Sequence, residues 1–217
     1  MGYGAIRAAR NLSLALLIAV TPAVADVTIA ALGDSLTQGY GLPPDEGFVP
    51  QLDRWLSDRG VEATLINAGV SGDTTQGGLS RVDWTLTPEV DALIVALGGN
   101  DLLRGIDPSV ARANLRGILD AAASRGIPVL LVGMTAPGNY GADYKAAFDA
   151  IYPDLSTEFG AILHADFLGA LAEVEDRQSA IAAFMQPDGL HPNAAGVARI
   201  VEDIGPSVLA LIERTTD

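Results

Sequence analysis

The 217-residue chain contains no cysteine, one lysine and two histidines, and only 6% of its residues are aromatic. The absence of cysteine excludes disulfide bonds, thiolate metal sites and a cysteine nucleophile. Basic residues are also scarce: 13 face 27 acidic ones, so the formal net charge is −14. A chain of this charge repels nucleic-acid phosphates and anionic lipid headgroups. We therefore expect neither nucleic acid nor an anionic membrane surface as a partner.

The rest of the composition is that of an ordinary folded protein, with 49% hydrophobic and 18% charged residues. These values do not fit a disordered, collagen-like or low-complexity chain. The length suits one domain with a sizeable core, and no linker or internal repeat divides it.

The longest apolar run lies at the N-terminus and has the order of a secretory signal. Two arginines precede apolar residues 12–20, and small residues follow them up to Ala25. The run is far shorter than the roughly 20 apolar residues of a spanning helix. We expect a signal peptide over residues 1–25 and one exported domain, periplasmic or secreted, over residues 26–217. An uncleaved membrane anchor is the alternative interpretation; after cleavage no stable anchor is expected.

Short apolar runs alternate with helical patterns along the remainder of the chain. Strands are predicted at residues 27–32, 63–67, 92–97, 128–133 and 161–163, and helices at 48–60, 74–82, 109–125, 144–159 and 194–214. Continuous apolar strands that alternate with helices are typical of a parallel sheet covered on both faces. The pattern predicts one three-layer α/β/α domain with about five parallel strands. Gly205-Pro206 is expected to interrupt or kink the last helix.

Polar and glycine-rich segments follow the first three predicted strands, at the sheet edge where α/β proteins bind ligands. The segments are Gly33-Asp34-Ser35-Leu36, Gly69-Val-Ser-Gly72-Asp73 and Gly98-Gly99-Asn100-Asp101. The first can expose a serine hydroxyl, the second can turn backbone N–H groups towards a ligand, and the third offers an amide donor. Taken singly, each segment also fits an ordinary turn or helix cap.

A histidine with a neighbouring carboxylate lies near the C-terminus, in Asp188-Gly-Leu-His191-Pro192. One turn of chain can bring the Asp188 carboxylate to Nδ1 of His191 while Nε2 faces outward. A solvated aspartate beside a capping histidine is the alternative. The other histidine, His164, lacks such surroundings, and we interpret it as a partly buried structural residue.

Together these residue types supply every group that acyl transfer requires. A histidine base makes a serine hydroxyl nucleophilic, and a carboxylate fixes the imidazole tautomer. The predicted catalytic residues are Ser35, Asp188 and His191. The predicted oxyanion donors are the N–H of Ser35, the N–H of Gly72 and the side chain of Asn100, each donor being typically worth ~3–4 kcal/mol in the transition state.

In this order, the four blocks resemble the SGNH (GDSL) hydrolase superfamily, whose name records Ser, Gly, Asn and His. The resemblance covers nearly the whole chain after the signal, from Asp26 to about Arg214. Segments 67–75, 137–141 and 151–153 are further similar to the exported bacterial multifunctional esterases, a group with thioesterase, lysophospholipase and arylesterase activities.

The resemblance implies a flavodoxin-like fold and hydrolysis of acyl esters, and by extension of thioesters or lysophospholipids, with no metal or other cofactor. It implies the roles assigned above to the serine, histidine, aspartate, glycine and asparagine. The expected partner is a small-molecule or lipid ester, and a monomer is the favoured state. Leu42, Phe48 and Tyr140 are candidates for lining an apolar substrate groove.

Several other functions fit the sequence less well. The Gly-x-Ser-x-Gly, Gly-x-Gly-x-x-Gly and phosphate-binding-loop motifs of α/β-hydrolases, dinucleotide enzymes and nucleoside triphosphatases are absent. A metal-dependent phosphoesterase would use Asp34, Asp73, Asp101 and His191. A non-catalytic module that binds an acyl chain or a glycan is a second alternative. A carbohydrate O-deacetylase of the same fold is the main alternative, and it requires a short, polar acyl pocket.

Overall fold

The structure is a computed structural model, and it describes residue 1, residues 27–172 and residues 177–215. The predicted signal peptide therefore lies outside the described residues except for Met1. Within the described ranges, none of the helices combines the length and the hydropathy that a membrane span requires.

Five parallel strands form one sheet in the order β2-β1-β3-β4-β5. The strands are β1 (Val27–Gly33), β2 (Ala63–Gly69), β3 (Ala92–Ala96), β4 (Val129–Val132) and β5 (Ile162–His164). In the register of the sheet, Gly33 at the end of β1 pairs with Gly69 of β2 on one side and with Ala96 of β3 on the other. This is the flavodoxin-like strand order, and its topological switch point lies between β1 and β3. The predicted parallel sheet of five strands is confirmed.

Ten helices occur in the described part of the chain. They are α1 (Ser35–Gln38), α2 (Phe48–Ser57), α3 (Thr75–Thr85), α4 (Gly99–Leu103), α5 (Pro108–Ala123), α6 (Ala142–Asp149), α7 (Ile151–Phe159), α8 (Gly169–Ala172), α9 (Arg177–Phe184) and α10 (Ala194–Glu213), and a 3-10 turn spans Gly138–Tyr140.

The sheet separates two apolar cores, because successive side chains of a strand point to opposite faces. Ile29 and Ala31 of β1 lie in the core formed with α2 and α10. Ala30 and Leu32 lie in the core formed with α3, α5 and α7. These two helical layers and the sheet are the predicted three layers.

β2 is less buried than the predicted pattern implies, because it lies at the edge of the sheet. Ala63 and Leu65 pack towards α2, whereas Thr64 and Ile66 are exposed on the opposite face. The strand is therefore covered on one face only.

Two prolines of the helical segments have different effects. The helix predicted over residues 144–159 is divided between α6 and α7 at Ala150, because Pro153 has no N–H to donate to the carbonyl of Asp149. Pro206, in contrast, lies inside an uninterrupted α10. Packing offsets its missing hydrogen bond, since Ile204 is fully buried and Gly205 lies against the indole of Trp55.

Candidate active site

Ser35 is the first residue of α1, directly after β1 ends at Gly33. The turn between strand and helix is fixed by Asp34, whose Oδ1 accepts a hydrogen bond from the N–H of Leu36 at 3.0 Å. Gly33 must lack a side chain, because a Cβ there would collide with the hydroxyl of Thr37. The local sequence therefore presents the serine hydroxyl at the carboxyl edge of the sheet.

Ser35, His191 and Asp188 form a continuous hydrogen-bonded chain. Nε2 of His191 lies 2.9 Å from Oγ of Ser35, and Nδ1 lies 2.7 Å from Oδ2 of Asp188. The other carboxylate oxygen of Asp188 accepts hydrogen bonds from the backbone N–H groups of Leu190 at 2.9 Å and His191 at 3.0 Å. Gly189 adopts a φ of +64°, which allows the chain to turn back between the two catalytic candidates.

The surroundings of Asp188 keep it ionised. The hydrogen bond from the His191 ring lowers the pKa of Asp188 to about 2, and the two backbone N–H groups act in the same direction. A carboxylate that is ionised at neutral pH fixes Nδ1 of His191 as the protonated nitrogen. Nε2 is then free to accept the proton of Ser35.

Asn100 lies in the first turn of α4, which follows Gly98 in a left-handed backbone conformation with a φ of +124°. Its Nδ2 donates to Oδ2 of Asp34 at 3.2 Å. An amide nitrogen carries two hydrogens, so one remains for a ligand. Asp34 is 3% exposed, and burial raises its pKa to about 6. Asp34 therefore orients the amide that the sequence predicts as an oxyanion donor.

Gly72 lies in the turn after β2 and also has a left-handed backbone, with a φ of +84°. The turn is closed by a hydrogen bond from the N–H of Asp73 to the carbonyl of Val70 at 3.0 Å. Arg104, at the end of α4, donates to the carbonyl of Gly72 at 2.8 Å. Two of the three predicted oxyanion donors, Gly72 and Asn100, are thus connected through α4.

Arg81 of α3 supports the same edge, a role that no sequence pattern indicates. Its guanidinium donates to the carbonyls of Gly33 at 2.8 Å and Ala68 at 2.7 Å, and to the carboxylate of Asp73 at 2.7 Å. One planar group therefore connects the end of β1, the end of β2 and the Gly72 turn. No spacing rule identifies such a residue, because its partners are mainly backbone carbonyls.

The carboxylates of the metal alternative have other partners. Asp101 is fully buried and accepts hydrogen bonds from the N–H and hydroxyl of Thr75, which is also bonded by Asn114. Asp73 pairs with Arg81. Within residues 27–172 and 177–215, no three acidic, histidine or cysteine side chains converge as metal ligands would. These contacts favour a serine mechanism over the metal-dependent alternative.

A cleft of about 610 Å³ opens at these strand ends, and most of its wall is apolar. It is bordered by Ser35 and His191, but not by Asp188, and also by Gly72 and Asn100. The remaining lining residues are Asp34, Leu36, Tyr40, Ser71, Gly99, Leu102, Leu103, Met134, Pro137, Asn139, Tyr140, Leu168 and Leu190.

Of the three residues proposed for the groove, the structure brings one into the cleft. Tyr140 lines it and is 42% exposed. Phe48 does not, because the apolar face of α2 is turned towards the sheet; its ring is 1% exposed and packs 5.2 Å from that of Phe167. Leu42 packs against the same core. His164 lies on β5 with Nε2 3.4 Å from Asp203, which agrees with a structural histidine.

The residues of this site lie in a segment that matches a known family. Residues 31–199 match the GDSL-like lipase/acylhydrolase family. The chain is 36% identical to esterase TesA of Pseudomonas aeruginosa over 197 residues, which are 90% of this chain and 94% of the relative. It is 38% identical to thioesterase 1/protease 1/lysophospholipase L1 of Escherichia coli K12 over 179 residues, 82% of this chain and 80% of the relative.

A solved structure gives the same result. The crystal structure of AlinE4, an SGNH-hydrolase family esterase, superposes with a TM-score of 0.69 at 45% identity, covering 85% of this chain and 96% of AlinE4. Fold, sequence and motif order therefore agree. The chain belongs to the GDSL-like lipase/acylhydrolase family and is a hydrolase of the GDSL type.

Proposed function

We propose that the chain hydrolyses carboxylic esters through an acyl-enzyme on Ser35, with His191 as general base and Asp188 as the residue that orients it. The observation that carries the proposal is the hydrogen-bonded chain from Oγ of Ser35 through the imidazole to Asp188, at 2.9 and 2.7 Å. The apolar cleft beside it supports an acyl or aryl ester as the substrate.

Acylation follows from these contacts. Nε2 of His191 takes the proton of Ser35 as Oγ attacks the ester carbonyl carbon, and the carbonyl electron pair moves to oxygen. The N–H of Ser35, the N–H of Gly72 and the amide of Asn100 hold this oxyanion. The intermediate then collapses: the bond to the alcohol oxygen breaks, and His191 returns the proton to the leaving alcohol.

Deacylation repeats the sequence with water. Nε2 of His191 takes a proton from the water as its oxygen attacks the acyl carbon, and the same donors hold the second oxyanion. The bond between the acyl carbon and Oγ breaks, His191 protonates Ser35, and the carboxylic acid leaves. Throughout both steps Asp188 stabilises the imidazolium and is not itself protonated.

The lining of the cleft supports short-to-medium acyl chains on uncharged or aryl leaving groups. Leu102, Leu103 and Met134 are among the residues of its mostly apolar lining, which favours acyl chains over the short polar pocket of a carbohydrate O-deacetylase. The E. coli relative is named for thioesterase and lysophospholipase activities, which supports thioesters and lysophospholipids as further substrates.

We also propose that the protein is exported with residues 1–25 removed. The order of charged, apolar and small residues at the N-terminus supports this. Export is checked by N-terminal sequencing of the protein recovered outside the cytoplasm, which should begin at Asp26. A first residue within the apolar run would contradict the cleavage position.

A fluorophosphonate ester tests the catalytic assignment. Wild type should be modified on Ser35 and lose activity, whereas Ser35→Ala should be neither modified nor active. An unmodified but fully active wild type would overturn the assignment. Rates on p-nitrophenyl esters from acetyl to palmitoyl, measured beside acetylated sugars, then define the acyl preference.

A further inference from the structure

Deacylation makes a demand on His191 that acylation does not. Before acylation, the hydrogen bond between Oγ of Ser35 and Nε2 helps to hold the imidazole. Once Oγ carries the acyl group it has no hydrogen to share, so this bond is lost. His191 must nevertheless stay within reach of the water that attacks the acyl carbon. Some other contact has to fix its distance from Ser35.

His191 belongs to a tightly bonded segment, residues 184–193, which we call the histidine loop. Met185 and Pro192 form an isolated antiparallel bridge. The N–H of Gln186 donates to the carbonyl of His191 at 2.7 Å, and the N–H of Gly189 donates to the carbonyl of Gln186 at 2.9 Å. These bonds connect the two ends of the loop, and Gln186 takes part in two of them.

The side chain of Gln186 joins this loop to the segment that carries Ser35. Its Nε2 donates to the carbonyl of Tyr40 at 2.7 Å and to the carbonyl of Pro192 at 3.0 Å, so both amide hydrogens are used. The N–H of Tyr40 in turn donates to the carbonyl of Ser35 at 3.1 Å. The ring of Tyr40 lies 4.8 Å from that of His191, centroid to centroid.

Among the described residues, no other hydrogen bond can replace this one. Between the histidine loop and residues 34–47, the described hydrogen bonds are the one that the hydroxyl of Ser35 donates to Nε2 of His191 and the one that Gln186 donates to Tyr40. When acylation removes the first, the second remains. Asp188 cannot replace it, because its bonds lie within the loop and set the imidazole orientation only.

We propose that Gln186 is a positioning residue for deacylation: it holds His191 at its working distance from Ser35 while Oγ is esterified. The inference rests on the proposed acyl-enzyme. It requires no new chemistry, since the water proton still passes to Nε2 and then to Oγ as the acyl–oxygen bond breaks. It predicts that loss of the Gln186 side-chain bonds slows the second step more than the first.

The test compares Gln186→Met with wild type during hydrolysis of saturating p-nitrophenyl butyrate. Acid quenching followed by intact-protein mass spectrometry gives the acylated fraction in the steady state. That fraction and kcat together yield both rate constants, whichever step is slower. We expect the deacylation constant to fall by about tenfold and the acylation constant by less than about threefold, because displacement of a catalytic group acts on the step that depends on it. The acylated fraction should therefore rise.

Gln51→Met is a matched control, because Nε2 of Gln51 also donates to two carbonyls in separate segments, Glu46 at 2.6 Å and Ala194 at 3.0 Å. Its described hydrogen bonds do not involve the catalytic candidates, so this variant should leave both rate constants unchanged. Gln186→Glu keeps the length of the side chain but cannot donate when ionised, and it should reproduce the effect if Gln186→Met folds poorly.

Two results would overturn the proposal: equal losses in both rate constants, or the same shift in Gln51→Met. A reduced amount of active enzyme with an unchanged acylated fraction would indicate a purely structural role and would contradict it as well. Failure of the proposed function is distinguishable, because a wild type that neither accumulates acyl-enzyme nor reacts with a fluorophosphonate fails before any variant is compared.

Discussion

Two aspartates of the site show how surroundings assign different tasks to the same side chain. Asp188 is 40% exposed on its side chain, and hydrogen bonds from His191 and the backbone lower its pKa to about 2. Asp34 is buried, and desolvation raises its pKa to about 6 although Leu36 and Asn100 donate to it. The first stabilises a charge that forms on the imidazole during reaction. The second supports an oxyanion donor.

Asp188→Asn tests the first task. An amide in place of the carboxylate no longer requires hydrogen on Nδ1, so Nε2 ceases to be a dependable proton acceptor. We expect turnover to fall by roughly 10³–10⁴-fold, by analogy with serine proteases, while the protein stays folded. Steady-state kinetics and thermal unfolding measure the two quantities. Near-normal turnover would remove Asp188 from the assignment.

Asp34→Asn tests the raised pKa of Asp34 through the pH dependence of stability. Because the pKa of Asp34 is raised from 3.8 to about 6 in the folded protein, its contribution to stability is full below pH 4 and is lost as the pH rises through 6. The loss amounts to about 3 kcal/mol at most. Relative to wild type, the free energy of unfolding of the variant should therefore increase between pH 4 and pH 8.

Urea unfolding at several pH values measures this difference. Asp143→Asn, which changes an exposed carboxylate on α6, is the control and should show little dependence on pH relative to wild type. A difference between Asp34→Asn and wild type that stays constant from pH 4 to pH 8 would contradict the raised pKa.

At the scale of elements, the site is assembled from the carboxyl ends of β1, β2 and β3. Because these strands are adjacent and in register, Gly33 and Gly69 end side by side. The segments that follow them then lie within reach of one another. The strands set the approximate distances between these segments, and side chains such as Arg81 set the final positions of the turns.

Arg81→Met should loosen the turn that carries Gly72. It removes three charged hydrogen bonds, including those to the strand-end carbonyls. We expect kcat to fall by about tenfold to a hundredfold with KM little changed, because the oxyanion donors act chiefly in the transition state. The measurement is steady-state kinetics on a p-nitrophenyl ester.

Arg125→Met is the matched control, since Arg125 also bonds a carboxylate (Asp83, 2.8 Å) and a carbonyl (Ala121, 2.9 Å) but lies in the exposed turn after α5. Its kcat should equal that of wild type. An increased KM with an unchanged kcat for Arg81→Met would argue against a role in the oxyanion hole.

For the whole molecule, the main feature is negative charge. The full chain carries a net charge of −14, and removal of residues 1–25 takes two arginines, leaving 11 basic against 27 acidic residues, or −16. Several of the basic side chains are also paired with carboxylates, among them Arg112 with Asp154 and Lys145 with Asp149. Approach of a polyanion to this surface is therefore opposed over a long range.

This charge predicts discrimination among thioesters. Acyl-CoA carries several negative charges, whereas an S-acyl N-acetylcysteamine with the same acyl group carries none. At low ionic strength kcat/KM should be lower for acyl-CoA, and it should rise by about two- to tenfold as salt screens the repulsion. The neutral thioester should be insensitive to salt. Equal salt responses for the two substrates would refute the prediction.

Much of the fold and most of the candidate site could be predicted from local patterns. The apolar strands predicted the parallel sheet. The glycine-rich segments that follow them predicted that Ser35, Gly72 and Asn100 lie together at its edge. Asp188 and His191 could be paired because they are three residues apart. Arg81 and Gln186 could not be found, since each acts through backbone carbonyls distant in sequence. Phe48 was predicted to line the groove but lies in the core, because an apolar residue is equally compatible with both.

Periodicity and short-range backbone preferences are local properties, so the five strands, the longer helices and the residue types at the sheet edge could be inferred before any fold was known. Which atoms meet depends on contacts between distant segments: Nε2 of His191 reaches Oγ of Ser35 across 156 residues of sequence. Such contacts also determine that Tyr140 lines the cleft while Phe48 fills the core. The two residues differ because the direction of each side chain depends on which face its element buries against distant neighbours.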